Sequence, residues 1–219
     1  ALRDGAYRRG LFASAHPGVP VVVVGNLTVG GTGKTPFTLW LAGALQQRGV
    51  RVGTATRGYG GRVIGPEVVI PGADATHYGD EAVLLARRSG ALVCVGRRRI
   101  EAARWLAAQG CELVIADDGL QHLALRRDLE IVVVDAARGF GNGWLLPAGP
   151  LREPVARLRS VDALVVQGGP ARHRDAPALQ LAMQLQPDDP VALSDGTRRS
   201  LATFSGSRVH AVAGIGDQA

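Results

Sequence analysis

Thr28-Val29-Gly30-Gly31-Thr32-Gly33-Lys34-Thr35 holds the single lysine of a chain that carries 24 arginines. A position that keeps lysine where every other fixed cation is arginine calls for a compact ammonium rather than a planar fork. Glycines at 30, 31 and 33 let backbone N–H groups approach phosphate oxygens without a Cβ in the way. The Gly-Gly-Thr-Gly-Lys-Thr core therefore reads as a nucleotide-binding P-loop. Lys34 would reach the β- and γ-phosphates, and the Thr35 hydroxyl would serve Mg²⁺. Thr28 stands where the general pattern has glycine.

Leu113-Val114-Ile115-Ala116-Asp117-Asp118 is an apolar strand ending in two carboxylates. A P-loop kinase needs an acid at such a strand end to hold Mg²⁺ or its water shell. Side chains alternate along a strand, so the pair should diverge, one toward the metal and the other toward a neighbouring helix or the acceptor. Gly79-Asp80-Glu81 opens a helical segment. Asp80 has two readings: an N-cap, with Glu81 in the favourable first turn, or a base taking a proton from an acceptor hydroxyl while Glu81 supports Mg²⁺.

Arg57-Gly58-Tyr59-Gly60-Gly61 follows a predicted strand and should share the P-loop's sheet edge, so Arg57 and Tyr59 are candidates to meet substrate. Arg97-Arg98-Arg99 opens a predicted helix, where cations oppose the macrodipole. A local rule broken in this way often marks function, whereas each of the three, taken singly, reads as a solvated surface residue. His77 and His122 flank the acidic motifs with a spacing that matches no usual zinc set.

These groups need a scaffold. Val21-Val22-Val23-Val24 predicts a strand buried on both faces. Further strands are predicted near 50–56, 91–96, 111–116, 129–135, 161–167 and 208–213, with helices at about 34–48, 79–89 and 97–109. Residues 62–71 suit a short β excursion. This alternation predicts an α/β fold of the P-loop NTPase kind, a mainly parallel sheet covered by helices. Residues 136–154, rich in glycine and proline, predict a long irregular loop. Trp144, Leu145 and Leu146 argue that it is packed near the site. The organisation expected is a tail of an N-terminal membrane-proximal segment over 1–19, a kinase domain over 20–158, and a linker with the start of a second, smaller α/β domain over 159–219.

The bulk properties agree. A hydrophobic fraction of 46% supports a sizeable core, and a net charge of +6 favours anionic partners. Cys94 and Cys111 read as reduced core thiols. There is no apolar stretch of the roughly 20 residues needed to span a bilayer.

Taken together, the motifs resemble the tetraacyldisaccharide 4'-kinases, the lipid A 4'-kinases. The matching segments are Val24 to Pro36, Arg57-Gly58-Tyr59-Gly60, Gly79-Asp80-Glu81-Ala82, Asp117-Asp118-Gly119-Leu120-Gln121-His122, Gly139 to Gly143 and Leu146 to Pro154. Thr28 is also what the family has at that position. The resemblance implies transfer of the ATP γ-phosphate to the 4'-hydroxyl of a tetraacylated glucosamine disaccharide 1-phosphate. It implies ATP and Mg²⁺ as cofactors, and action at the cytoplasmic face of the bacterial inner membrane.

Residue by residue, the resemblance makes Asp80 the base-like aspartate, with Lys34 and Asp118 also catalytic. Thr28 to Thr35 bind nucleotide, and Thr35, Glu81 and the Asp117–Asp118 pair serve the metal, with Asp117 the member assigned to it and the choice between the two aspartates left open. Arg57, Tyr59, Gln121 and Arg152 contact the acceptor. The partners implied are the lipid substrate and a membrane surface, with no nucleic acid and no obligate protein partner. Two departures stand out. Only the tail of the family's apolar N-terminal segment, Leu2 to Phe12, is present. The domain that carries a histidine partner for the catalytic aspartate lies beyond residue 219. The expectation is that residues 1–219 alone do not turn over the lipid acceptor.

Three rivals make different predictions. A deviant P-loop partitioning or chaperone ATPase usually has lysine before Gly-Gly, where this chain has Val29. A GTPase switch needs an Asn-Lys-x-Asp motif, which a second lysine would have to supply. A nucleic-acid-binding module needs aromatic-interleaved basic stretches, and the chain has none.

Overall fold

The β-branched run Val21–Gly25 forms β1, buried at every position. The computed structural model describes residues 6, 7, 9, 11–171, 173 and 176–210. After β1 come helix α1 (Lys34–Gln46), β2 (Val52–Thr56), β3 (Glu67–Val69), the one-turn α2 (Ala75–Tyr78), α3 (Asp80–Arg88), β4 (Leu92–Val95), α4 (Arg99–Ala108), β5 (Leu113–Asp117), β6 (Leu129–Asp135), β7 (Ala163–Gln167) and β8 (Leu179–Met183). The strands form one eight-stranded sheet in the order β3-β4-β2-β5-β1-β6-β7-β8. Every neighbouring pair is parallel except β3 with β4.

The period of two is visible in the core. Val21 and Val23 of β1, with Val114 and Ala116 of β5, pack on one face beside Leu106, Leu120 and Leu158. Val24 and Ile115 pack on the other face with Phe37 and Ala42 of α1. Burying each such side chain contributes about 1.5–3 kcal/mol. Both faces are therefore covered, as an all-parallel centre demands.

β2, β5 and β1 are adjacent, and their carboxyl ends release the Arg57 loop, the Asp117–Asp118 pair and the P-loop. Sheet order alone thus brings these motifs to one edge.

Some expectations need correction. β8 was not predicted, because its outward-facing Leu179 and Leu181 give it no clear buried face. β7 and β8, assigned from sequence to a second unit, pair in parallel onto the same sheet. Residues 208–210 form no strand, and 211–213 lie outside the described residues. The one-turn helix α2 was also missed. Its cap is Asp74, whose carboxylate accepts the Thr76 N–H at 2.9 Å.

Cys94 and Cys111 are both buried free thiols, as expected. Burial, with a lesser push from Glu67, raises the Cys94 thiol to about 12.

Candidate active site

The P-loop is held from outside as well as by its own glycines. Gly30 and Gly33 take left-handed conformations, with φ of 93° and 86°, and Gly33 caps α1. Thr28 pairs with Leu151 in an isolated bridge, so an extended residue replaces the usual glycine there. The Val29 N–H donates to the Pro150 carbonyl at 2.9 Å, and the Arg152 N–H donates to the Leu27 carbonyl at 2.7 Å. Arg138 donates to the Gly31 carbonyl at 3.2 Å, and a Cβ on Gly30 would lie 2.9 Å from its guanidinium. The irregular stretch 136–154 is therefore a brace for the P-loop. Its backbone is packed near the site as expected, whereas the side chains of Trp144, Leu145 and Leu146 are exposed.

Asp117 and Asp118 diverge, as alternation requires. Asp117 is 1% exposed and accepts the Thr38 hydroxyl at 2.8 Å, which ties the end of β5 to α1. Burial raises its carboxyl to about 6, with Glu81 and Asp118 adding to the push. Asp118 turns the other way, through a left-handed backbone with φ of 48°. Its carboxylate lies 3.4 Å from the Lys34 ammonium, and Arg152 donates to both of its oxygens at 3.2 Å. Burial, the largest single influence on Asp118, pushes its carboxyl up. Lys34 and Arg152 together outweigh it, and the group titrates below the usual carboxylate range.

A cavity of about 650 Å³ opens beside this pair, lined by Arg57, Tyr59, Glu81, Arg97, Arg99, Asp118, Gln121, His122, Leu146 and Arg152 among others. Loop residues Thr28 to Gly33 do not line it, so it lies next to the P-loop rather than inside it. Glu81 faces this cavity. Asp80 lines an adjoining hollow of about 300 Å³, which shares Tyr59. Asp80 is not the N-cap. Gly79 is, and Asp80 and Glu81 both occupy the first turn of α3.

The Arg57–Gly61 loop and the start of α3 meet backbone to backbone. A Cβ on Gly61 would stand 2.6 Å from the His77 carbonyl oxygen, and one on Gly79 would stand 2.4 Å from that of Tyr59. Two glycine motifs separated in sequence thus form a single contact.

The comparisons with known proteins bear on this arrangement. The family model described as tetraacyldisaccharide-1-P 4'-kinase matches residues 1–219. The chain belongs to this family. A tetraacyldisaccharide 4'-kinase from Nitrosococcus oceani is 49% identical over 218 residues, covering 99% of this chain and 63% of that one. Another from Methylobacillus flagellatus is 51% identical over 220 residues, covering 99% of this chain and 64% of that one. The structure is also similar to the "apo" form of LpxK from Aquifex aeolicus in complex with ATP. That likeness has a TM-score of 0.76 and 30% identity, and covers 93% of this chain and 66% of that one. The chain therefore spans just under two thirds of the length of these relatives.

For a member of the tetraacyldisaccharide-1-P 4'-kinase family, the donor set suits a hard cation held mainly through substrate. No group of three or more His, Cys, Asp or Glu forms a metal cage among the described residues. Mg²⁺ takes one or two carboxylates, with phosphate and water completing its shell. Asp117 and Glu81 supply two carboxylates close enough for Glu81 to push the Asp117 carboxyl up. The buried Thr32 hydroxyl and Asn26 Oδ1 have no hydrogen-bond partner, so the P-loop has polar groups left for a ligand.

Several contributors were missed from sequence. Thr38 lies one turn after Lys34 on α1, a spacing that points it toward the end of β5. Arg97 and Arg98 are exposed as expected, whereas Arg99 is 3% exposed and donates toward the Asp117 carbonyl at 3.4 Å. Burial draws the Arg99 guanidinium down to about 10, against the pull of Asp118 and Asp117. Glu153 accepts from Gln121 at 2.7 Å, and that amide also donates to the Asn26 carbonyl at 3.1 Å. Gln121 is thereby a brace as well as a cavity wall. His77 pairs with Glu67 on β3 at 3.0 Å.

Proposed function

We propose that this chain carries the nucleotide site and much of the acceptor site of an ATP-dependent kinase. Its reaction is transfer of the γ-phosphate to the 4'-hydroxyl of a tetraacyl glucosamine disaccharide 1-phosphate. The observation that carries this reading is the Lys34–Asp118–Arg152 cluster, which joins the P-loop to the 650 Å³ cavity. Family membership and the relatives' names support the same acceptor.

Phosphoryl transfer needs positioning and charge stabilisation more than covalent chemistry from the protein. The P-loop amides and Lys34 bind the triphosphate of ATP. Mg²⁺, when bound, would supply positive charge to offset that of the phosphates. Thr35, Asp117 and Glu81 are the residues to hold it. Asp118 keeps the Lys34 ammonium and the Arg152 guanidinium pointed at one place, and Arg152 would turn from this carboxylate to phosphate. Arg57 and Tyr59 line the acceptor side, where arginine suits the 1-phosphate. Asp80, one residue from Glu81 on the neighbouring hollow, takes the proton from the acceptor hydroxyl.

The membrane surface is part of this proposal. Among the described residues no helix is long and apolar enough to cross a membrane. A lipid acceptor instead suggests peripheral contact with the cytoplasmic face of the inner membrane, aided by a net charge of +6.

The test is transfer of radiolabel from ATP to a lipid disaccharide 1-phosphate by the complete protein. Acceptor-dependent labelling supports the kinase. ATP consumption that ignores the acceptor would instead favour a partitioning or chaperone-type ATPase.

A further inference from the structure

Trp144, Leu145 and Leu146 are 66%, 43% and 53% exposed, yet the loop that presents them is firmly built. The Leu146 N–H donates to the Leu151 carbonyl at 2.8 Å, and the Leu151 N–H donates to the Trp144 carbonyl at 3.1 Å. Asn142 accepts the Trp144 N–H at 3.1 Å and donates to the Ala148 carbonyl at 3.0 Å. Leu151 itself is 1% exposed, so the base of the loop is anchored in the core. Three consecutive apolar side chains held out by an ordered backbone imply a partner outside the described fold.

The surroundings indicate which partner. Leu146 lines the same cavity as Arg57, Tyr59 and Arg97. Tyr59 is 82% exposed, and both arginines are exposed. The cavity wall thus combines tyrosine and leucine with arginine, and exposed Trp144 stands two residues from Leu146 on the same loop. Amphipathic aromatics beside cations suit the boundary between headgroups and acyl chains of an anionic bilayer.

We propose that the tip of this loop, Trp144–Leu146, inserts into the surface of an anionic bilayer and sets the cavity mouth against it. The inference builds on the proposed lipid acceptor, since that substrate would then enter the cavity from the bilayer without crossing water.

The experiment uses the complete protein and vesicles of phosphatidylethanolamine and phosphatidylglycerol. The double variant Trp144→Ala, Leu145→Ala is expected to bind these vesicles about tenfold more weakly, while Trp144→Phe restores most of the binding. An environment-sensitive fluorophore placed through Trp144→Cys is expected to shift to the blue when vesicles are added. The double variant should phosphorylate a water-soluble, deacylated acceptor at the unaltered rate.

Unchanged vesicle binding by the double variant overturns the proposal. So does a fluorophore already blue-shifted without vesicles and unmoved by them, which would mean that protein covers the tip. A shift produced by a dispersed short-chain acceptor but not by vesicles also overturns it. The vesicle and fluorophore measurements need no catalysis. A failed kinase reading and a failed insertion are therefore told apart.

Discussion

The Lys34 ammonium lies 3.4 Å from Asp118, and the same carboxylate takes two hydrogen bonds from Arg152 at 3.2 Å. An acid on β5's edge thus sets the aim of two cations that come from a helix start and a distant loop. Removing Asp118 takes the shared partner from both cations and leaves Arg152 with the Gln121 amide oxygen at 3.5 Å. Asp118→Ala and Lys34→Ala are each expected to lower turnover by about a hundredfold or more. Their double variant should lose little beyond the worse single one. Turnover kinetics on the complete protein check this, with circular dichroism confirming the fold. Strictly multiplicative losses would show that the two residues act independently.

Asp117 makes a prediction with the opposite pH sense to an ordinary buried carboxylate pair. Its pKa rises from 3.8 to about 6 on folding, because burial penalises its charge. Between those values the native state holds the proton more firmly than the unfolded chain. The contribution is fully present below pH 4 and is lost as pH rises through 6, by about 3 kcal/mol. Asp117→Asn should remove that loss, so its stability gain over the parent grows between pH 4 and 7.5. Denaturant unfolding of ligand-free protein at the two pH values measures it. The same variant should bind ATP with little dependence on Mg²⁺.

The tie between Thr38 and Asp117 is testable separately. Thr38→Val keeps the shape but withdraws the hydrogen bond of 2.8 Å. It leaves a buried acceptor unmet, so a loss of about 1–3 kcal/mol is expected. Thr38→Ser should recover most of it. Equal stability of the valine and serine variants would contradict the bond's importance.

The thiols give a chemical readout of core integrity. Cys94 is fully buried and its thiol is pushed up to about 12, while burial also raises Cys111. Neither should react with iodoacetamide at pH 8 while the protein is folded, because the thiolate is the nucleophile. Both should be alkylated in denaturant, as mass spectrometry would show. Rapid labelling of native Cys94 would indicate that β4 opens readily.

The parts of this molecule that sequence revealed are those with a strong local period or a rigid chemical demand. The valine run of β1 has no alternative burial, and a lone lysine after three glycines has few other uses. What stayed hidden depends on contacts between distant segments. Thr38 looks like any helix residue until β5 ends beside it. Arg99 looks like a surface arginine because its two neighbours are, although its own direction turns inward. β8 alternates Leu179, Leu181 and Met183 with Gln180 and Ala182, yet none of its residues is fully buried, and it is pairing with β7 that makes it a strand. Asp80 looks like a cap because glycine at position 79 seems merely a spacer.

Gly79 and Gly61 place main chain directly on main chain, with Cβ clearances of 2.4 and 2.6 Å. Alanine at either site should cost roughly 1–3 kcal/mol or displace the loop, and turnover should fall more than ATP affinity. Differential scanning calorimetry and kinetics would separate those effects. Since neither surface offers a side chain that could be trimmed to make room, no compensating substitution across this seam is available. The acceptor wall and the acidic helix start are therefore obliged to shift together, and any swing that widens the mouth also carries Asp80 and Glu81 along.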